Sequence, residues 1–186
     1  MHDAGKFMLG ILIFFLSFSF AFSLVPLEWF ELFYAHGTLI LLNVAGLSGA
    51  VIAQEPALLE LDAVLLPIGI TYLCTGLLEL TVIWAAVISS FGIPVRKRLA
   101  GIAAATVAII AFNFLRIVAS IFIIIFFGLD AGNFSHGILF KIFLFATISG
   151  FYYLWFRWAT GQDKPSEKGG KKKPSINNTK KPPAIK

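Results

Sequence analysis

The chain has 186 residues, of which 58% are hydrophobic and 13% charged. A soluble domain carries roughly 25% charged residues, so this chain cannot cover its apolar surface with polar groups, and lipid is its expected solvent. The formal net charge of +5 is unevenly spread, the length fits one domain, and no internal repeat is visible.

An apolar run of about 20 residues is long enough to cross a bilayer as a helix. In chain order, Phe7 to Val25 forms the first such run. It is too long for the apolar region of a secretory signal, and no clear small-x-small cleavage site follows it. Thr38 to Ala53 is a second, shorter run, whose Asn43, Gly46 and Gly49 suit close helix packing. Ile68 to Phe91 is a third and Leu99 to Phe127 an unusually long fourth. Gly137 to Trp158 is a fifth, ending in Tyr152, Tyr153, Trp155 and Trp158, aromatic residues that favour a headgroup interface. The expected fold is therefore all-α, a polytopic integral membrane bundle of about five transmembrane helices over residues 1–160. Pro26 to Gly37 is the one segment that would alter this count, as an interfacial or re-entrant piece.

Residues 161–186 differ in character. They hold eight lysines against Asp163 and Glu167, together with Pro165, Pro174, Pro182 and Pro183. Such a segment buries too little apolar surface to fold and is expected to be a disordered basic tail. Its lysines are solvated or drawn to anionic headgroups. No aromatic residue interleaves them, so nucleic acid is not an expected partner.

Short loops rich in Lys and Arg stay in the cytoplasm. Arg96, Lys97 and Arg98 lie between the third and fourth runs, and Arg157 with the lysine tail follows the fifth. Both segments are expected to be cytoplasmic in a cell-membrane protein, and the two runs between them agree in parity. Asp130, Asn133, Ser135, His136 and the segment Gln54 to Pro67 then face outside. Counting back through five spans puts the N-terminus outside as well.

Polar groups within membrane spans are costly and are functional candidates by default. Cys74 is the single cysteine, in Tyr72-Leu73-Cys74-Thr75-Gly76. Arg116 lies in Asn113-Phe114-Leu115-Arg116, inside an otherwise apolar run. His136 stands at the outer start of the fifth run. If the third and fourth runs are continuous helices, Cys74 lies about 25 Å from Phe91, and Arg116 about 27 Å from Arg98. In a hydrocarbon core about 30 Å thick, a thiol, a guanidinium and an imidazole from three helices thus share one level near the outer surface. Taken singly, each has a plainer reading: Cys74 as a packed small hydrophobe, His136 as an interfacial histidine, Arg116 as half of a salt bridge with Glu79. Asn113, three residues before Arg116 on the same helical face, would orient it or bond a neighbouring helix.

Together the three side chains suit acyl transfer through a thioester. His136 would accept the Cys74 proton and later return one to a leaving amine. Arg116 would stabilise the thiolate or an oxyanion, and it stays protonated, so it cannot be a base. One cysteine and one histidine are too few ligands for a metal site, a lone cysteine has no internal disulfide partner, and no cofactor motif is present.

Leu73-Cys74-Thr75-Gly76, then Asn113-Phe114-Leu115-Arg116, then His136, in order over Pro56 to Trp158, resemble the exosortase/archaeosortase family. The resemblance implies a membrane cysteine protease/transpeptidase with Cys74 as nucleophile, Arg116 as transition-state stabiliser and His136 as acid/base. It also implies membrane-anchored protein substrates whose C-terminal signal combines a short motif, a membrane helix and a basic cluster. The signal is cleaved at the outer face, and the protein end passes to an acceptor, with a lipid among the candidates. The competing expectation is a non-enzymatic transport or assembly subunit in which Arg116 and Asn113 are structural.

Overall fold

A computed structural model describes residues 2–64 and 66–161; the expected basic tail, apart from Gly161, lies outside the described residues. Helix α1 (His2–Ser23) is followed by α2 (Leu27–Val44). Three short strands come next, β1 (Gly49–Ile52), β2 (Ala57–Leu61) and β3 (Ile68–Ile70). A 3-10 turn (Tyr72–Cys74) leads into α3 (Leu77–Ile88), and a loop leads to α4 (Val95–Phe127). Helix α5 (Leu129–Phe134), a π-helical turn (Ser135–Leu139) and α6 (Phe140–Thr160) complete the chain in one nearly continuous rod.

The helical class is as expected, but the segments between Thr38 and Phe91 are not two spans. Helix α2 ends at Val44, and Gly49–Ile52 pairs with β2. Ile68–Ile70 is a strand, and the helix of the third run begins only at Leu77. The sheet is antiparallel in the order β1-β2-β3. Short apolar runs do not separate strand from buried helix by periodicity, and here the pairing partner decides. Along β2, Ala57, Leu59 and Leu61 are buried while Glu60 is exposed, the two-residue period of a half-buried strand. The buried Glu31 carboxylate of α2 accepts a hydrogen bond from the Ala57 backbone N–H at 3.3 Å, tying helix to sheet.

Among the described residues, three helical stretches are long and apolar enough to cross a membrane: Ala4–Ser23, Val95–Phe127 and Leu129–Thr160. Their outward side chains have no protein to pack on; Phe20 is 69% exposed and Phe145 74%. Such a surface is consistent with a membrane protein. Helix α3 is apolar but shorter, and at 1.5 Å per residue it covers only about 18 Å.

The single helix α4, 33 residues long, organises two layers. Its buried stripe of Gly101, Ala105, Ile109, Asn113, Arg116, Ile117, Ser120 and Ile121 follows the three-and-four spacing of one helical face. The N-terminal part of the stripe packs with Leu80, Ile83, Val87 and Trp155. The C-terminal part packs with Tyr34, Leu42, Leu59, Leu61 and Ile70 of α2 and the sheet.

The basic end is latched by hydrogen bonds. Lys97 Nζ donates to the Ala159 carbonyl at 2.8 Å and Arg98 Nη1 to the Ile88 carbonyl at 3.0 Å. These cations cover the C-terminal carbonyls of α6 and α3, where the helix dipole is negative. The Trp155 indole N–H donates to the Lys97 carbonyl at 3.1 Å. Helix α1 begins at this same end: the Phe7 and Tyr152 rings are 6.5 Å apart, and Gly10 abuts Ser89 and Phe91. The start of α1 thus lies beside the basic loop and not opposite it, because the run at Thr38 to Ala53 that set the expected parity divides between the end of α2 and strand β1 and is not a span of its own.

A Cβ on Gly101 would fall on the Trp155 indole, whereas one on Gly150 would meet open space. Gly101→Val should therefore cost about 1–3 kcal/mol of stability through overpacking. Thermal unfolding of the detergent-solubilised protein should show a clear drop for Gly101→Val and little change for Gly150→Val.

Candidate active site

Cys74 is the last residue of the 3-10 turn between β3 and α3, not part of a transmembrane helix. The turn is closed by Cys74 N donating to Thr71 O at 2.8 Å and Thr75 N to Tyr72 O at 3.1 Å. The Thr75 hydroxyl adds a 2.6 Å bond to the Tyr72 carbonyl. These bonds fix the thiol just ahead of the first turn of α3.

Gly76 makes this sharp entry into α3 feasible. Its φ of +73° lies in the left-handed region, which glycine enters without steric cost. A Cβ there would overlap Asn113 Nδ2. Asn113 is fully buried and donates from Nδ2 to the Ile109 carbonyl at 3.0 Å, while its Oδ1 has no partner. The expected supporting residue thus wedges α4 against the start of α3, one turn below Arg116.

Arg116 is buried, only 5% exposed. Its Nη2 donates to the Leu73 carbonyl at 3.1 Å, on the residue preceding Cys74. Its Nε has no partner, and among the described residues no carboxylate pairs with it. The salt bridge to Glu79 weighed from sequence is not formed. Tyr34 of α2, itself buried, stands beside Asn113 and within electrostatic reach of both Arg116 and Glu79.

His136 lies in the π-helical turn, where Phe140 N donates to Ser135 O. That i to i+5 bond accommodates one extra residue per turn and re-aims the side chains around it. The His136 ring Nε2 lies 3.6 Å from Cys74 Sγ, and Thr71 Oγ1 lies 3.7 Å from the same sulfur on another side. Ser135, adjacent, is anchored by its hydroxyl to the Gly132 carbonyl at 3.0 Å.

Cys74, Arg116 and His136 line one cavity of about 310 Å³, at the low end of the range for small-ligand sites. The strand β3, the distal part of α4 and helix α5 form its walls, largely apolar, with Ser120 and Asn133 as further polar groups. A thiol, an imidazole within proton-transfer reach and a guanidinium thus converge on one cavity. Among the described residues no group of three or more His, Cys, Asp or Glu side chains is placed to hold a metal ion.

Sequence reading named Cys74, Arg116, His136 and Asn113, and all four lie at or beside this cavity. It missed Thr71, Tyr34 and the strand β3. Thr71 carried a weak signal, a hydroxyl three residues before the thiol and therefore one turn away. Tyr34 carried none, since its contact with Asn113 depends on how α2 packs. No family model matches the chain, and no curated protein or solved structure matches it either.

Gly76→Ala should destabilise more than Gly92→Ala. Both positions have positive φ, but a Cβ at Gly92 meets nothing within 4 Å, while one at Gly76 lands on Asn113. Left-handed backbone costs a non-glycine residue about 1–2 kcal/mol, and only Gly76→Ala adds a collision to that cost. Paired unfolding curves in one detergent should separate the two variants; equal losses would show that the Asn113 contact carries no weight.

Proposed function

We propose that the chain is a membrane-embedded cysteine protease/transpeptidase of the exosortase/archaeosortase kind. It would cleave C-terminal sorting signals of membrane-anchored proteins. The observation that supports this most is the 3.6 Å approach of Cys74 Sγ to His136 Nε2, in a cavity that Arg116 also lines.

In this mechanism His136 takes the Cys74 proton and the thiolate attacks the scissile carbonyl carbon. The carbonyl π electrons move to oxygen, and the resulting oxyanion is stabilised by a nearby cation; Arg116, which lines the cavity, fills that role. The C–N bond then breaks, and its electron pair takes the proton from His136, releasing the signal as a free amine. The protein end remains on Cys74 as a thioester. An acceptor nucleophile, water or the headgroup of a lipid, attacks that carbonyl, loses its proton to His136 and frees the thiol.

The topology that accompanies this reading puts Arg96, Lys97, Arg98 and Arg157 in the cytoplasm of a multi-pass cell-membrane protein. The N-terminus of α1 shares that side. Helices α1, α3, α4 and α6 would then cross in alternation, with the cavity toward the outer face. A substrate helix would lie beside the bundle in lipid, with its basic cluster level with the basic loop.

A non-enzymatic role retains one observation in its favour. The bond from Arg116 to the Leu73 carbonyl is one that a purely structural arginine would also make. The two readings part at the thiol. With a co-expressed reporter carrying a C-terminal helix and basic tail, Cys74→Ser should abolish processing, and His136→Ala should lower it about 10²- to 10⁴-fold. A scaffold or transport subunit tolerates Cys74→Ser. Processing that continues unchanged in that variant would exclude the protease.

A further inference from the structure

The cavity has one wall made of backbone rather than side chains. Ile68, Gly69 and Ile70 of β3 all line it, and among the described residues β3 is an edge strand, paired with β2 alone. The direction of its free groups follows from the ladder. Asp62 N donates to Ser48 O at 3.1 Å, continuing the register in which Gly49 faces Leu61. Antiparallel ladders alternate bonded and non-bonded pairs, so Glu60 and Leu58 turn their backbone groups to β1, while Leu59 turns its N–H and C=O, and Ala57 its C=O, to β3. Ile68 and Ile70, which face Leu59 and Ala57, answer them. Gly69, between the two, directs its N–H and C=O to the open edge. It carries no side chain to screen that edge, and Thr71 and Cys74 follow within five residues.

We infer that this edge is the substrate-binding element: an extended polypeptide adds to β3 as a fourth strand, pairing with Gly69, so that its carbonyls run past Cys74. The inference rests on the protease reading and names the conformation in which that site takes its substrate. An extended segment is the occupant whose chemistry matches, because only backbone supplies both an acceptor for the Gly69 N–H and a donor for its carbonyl in strand register. The cavity of about 310 Å³ lies along this edge and has room for a short extended stretch. A sorting signal would therefore unwind locally where it is cut.

Peptidyl chloromethyl ketones test this on the purified, detergent-solubilised full chain. Acetyl-trialanyl chloromethyl ketone alkylates a thiolate, forming a C–S bond and expelling chloride, and intact mass reports the adduct. Iodoacetamide reads the thiol without peptide recognition. Gly69→Pro deletes the edge N–H and fixes φ at about −65°, a change that edge strands accommodate when that N–H faces outward. Gly69→Ala keeps the N–H, and its Cβ meets Pro56 and Leu58 at the ordinary distances of 3.7 and 3.8 Å. The expected result is peptidyl labelling of Cys74, read as a ratio to the iodoacetamide rate of the same variant, that falls about five- to tenfold in Gly69→Pro, the loss of one hydrogen bond, and falls less in Gly69→Ala, which keeps the N–H. A reagent N-methylated at its central alanine should lose a similar factor on the parent chain. Equal peptidyl rates in the parent and Gly69→Pro, with iodoacetamide still reacting, overturn strand addition and leave the protease reading standing. Strand addition is equally overturned if Gly69→Pro only turns a dimer into a monomer in light scattering, since the edge then pairs with a second copy. A Cys74 inert to both reagents removes the protease reading and strand addition together.

Discussion

A guanidinium held out of water without a carboxylate partner sets the conditions for everything around it. A charge at the centre of a membrane helix costs about 2.5–3.5 kcal/mol even on lenient insertion scales, and Arg116 recovers only part of that through its bond to the Leu73 carbonyl. That bond restrains the turn carrying Cys74 from across the bundle. Its unpartnered Nε leaves a site of positive potential lining a cavity with few other polar groups. Such a potential favours whatever anion arises there, and Cys74 is the one thiol in the chain.

The site lies at a junction. On one side of it α1, α3, the first half of α4 and α6 pack together as helices; on the other, α2 and a small sheet close over the second half of α4. Neither layer alone holds the three groups. The turn carrying Cys74 joins sheet to helix, Arg116 reaches it from α4, and His136 enters through a π-helical turn that breaks the regular phase of the last rod. The apolar walls limit water, which strengthens electrostatic interactions inside.

The sequence made the site more legible than the path of the chain through it. Cys74, Arg116 and His136 were visible because ionisable and thiol groups in apolar surroundings are expensive, and that cost reads directly from residue type. In the second run, Thr38 to Ala53, the residues up to Val44 are helical within α2, but Val51 and Ile52 are as apolar as any helix, and what makes them a strand is pairing between segments, a property no single window contains. The depth assigned to Cys74 assumed a continuous helix from Ile68, yet the thiol still came to the level of Arg116. The strand and turn above α3 cover height that the missing helical turns would have covered. Gly69 was invisible as a functional residue, since its relevance lies in two backbone groups and the register that aims them.

The latch at the basic end and Arg116 belong to one unbroken helix, 18 residues apart from Arg98. Each residue inserted or removed between them would turn the guanidinium by about 100° and move it about 1.5 Å, swinging it off Leu73 while Lys97 and Arg98 kept their grip on Ala159 and Ile88. Side chains on the lipid side of that stretch are free to drift among apolar types, but its length is not. Over this interval α4 should tolerate substitution readily and insertions or deletions hardly at all.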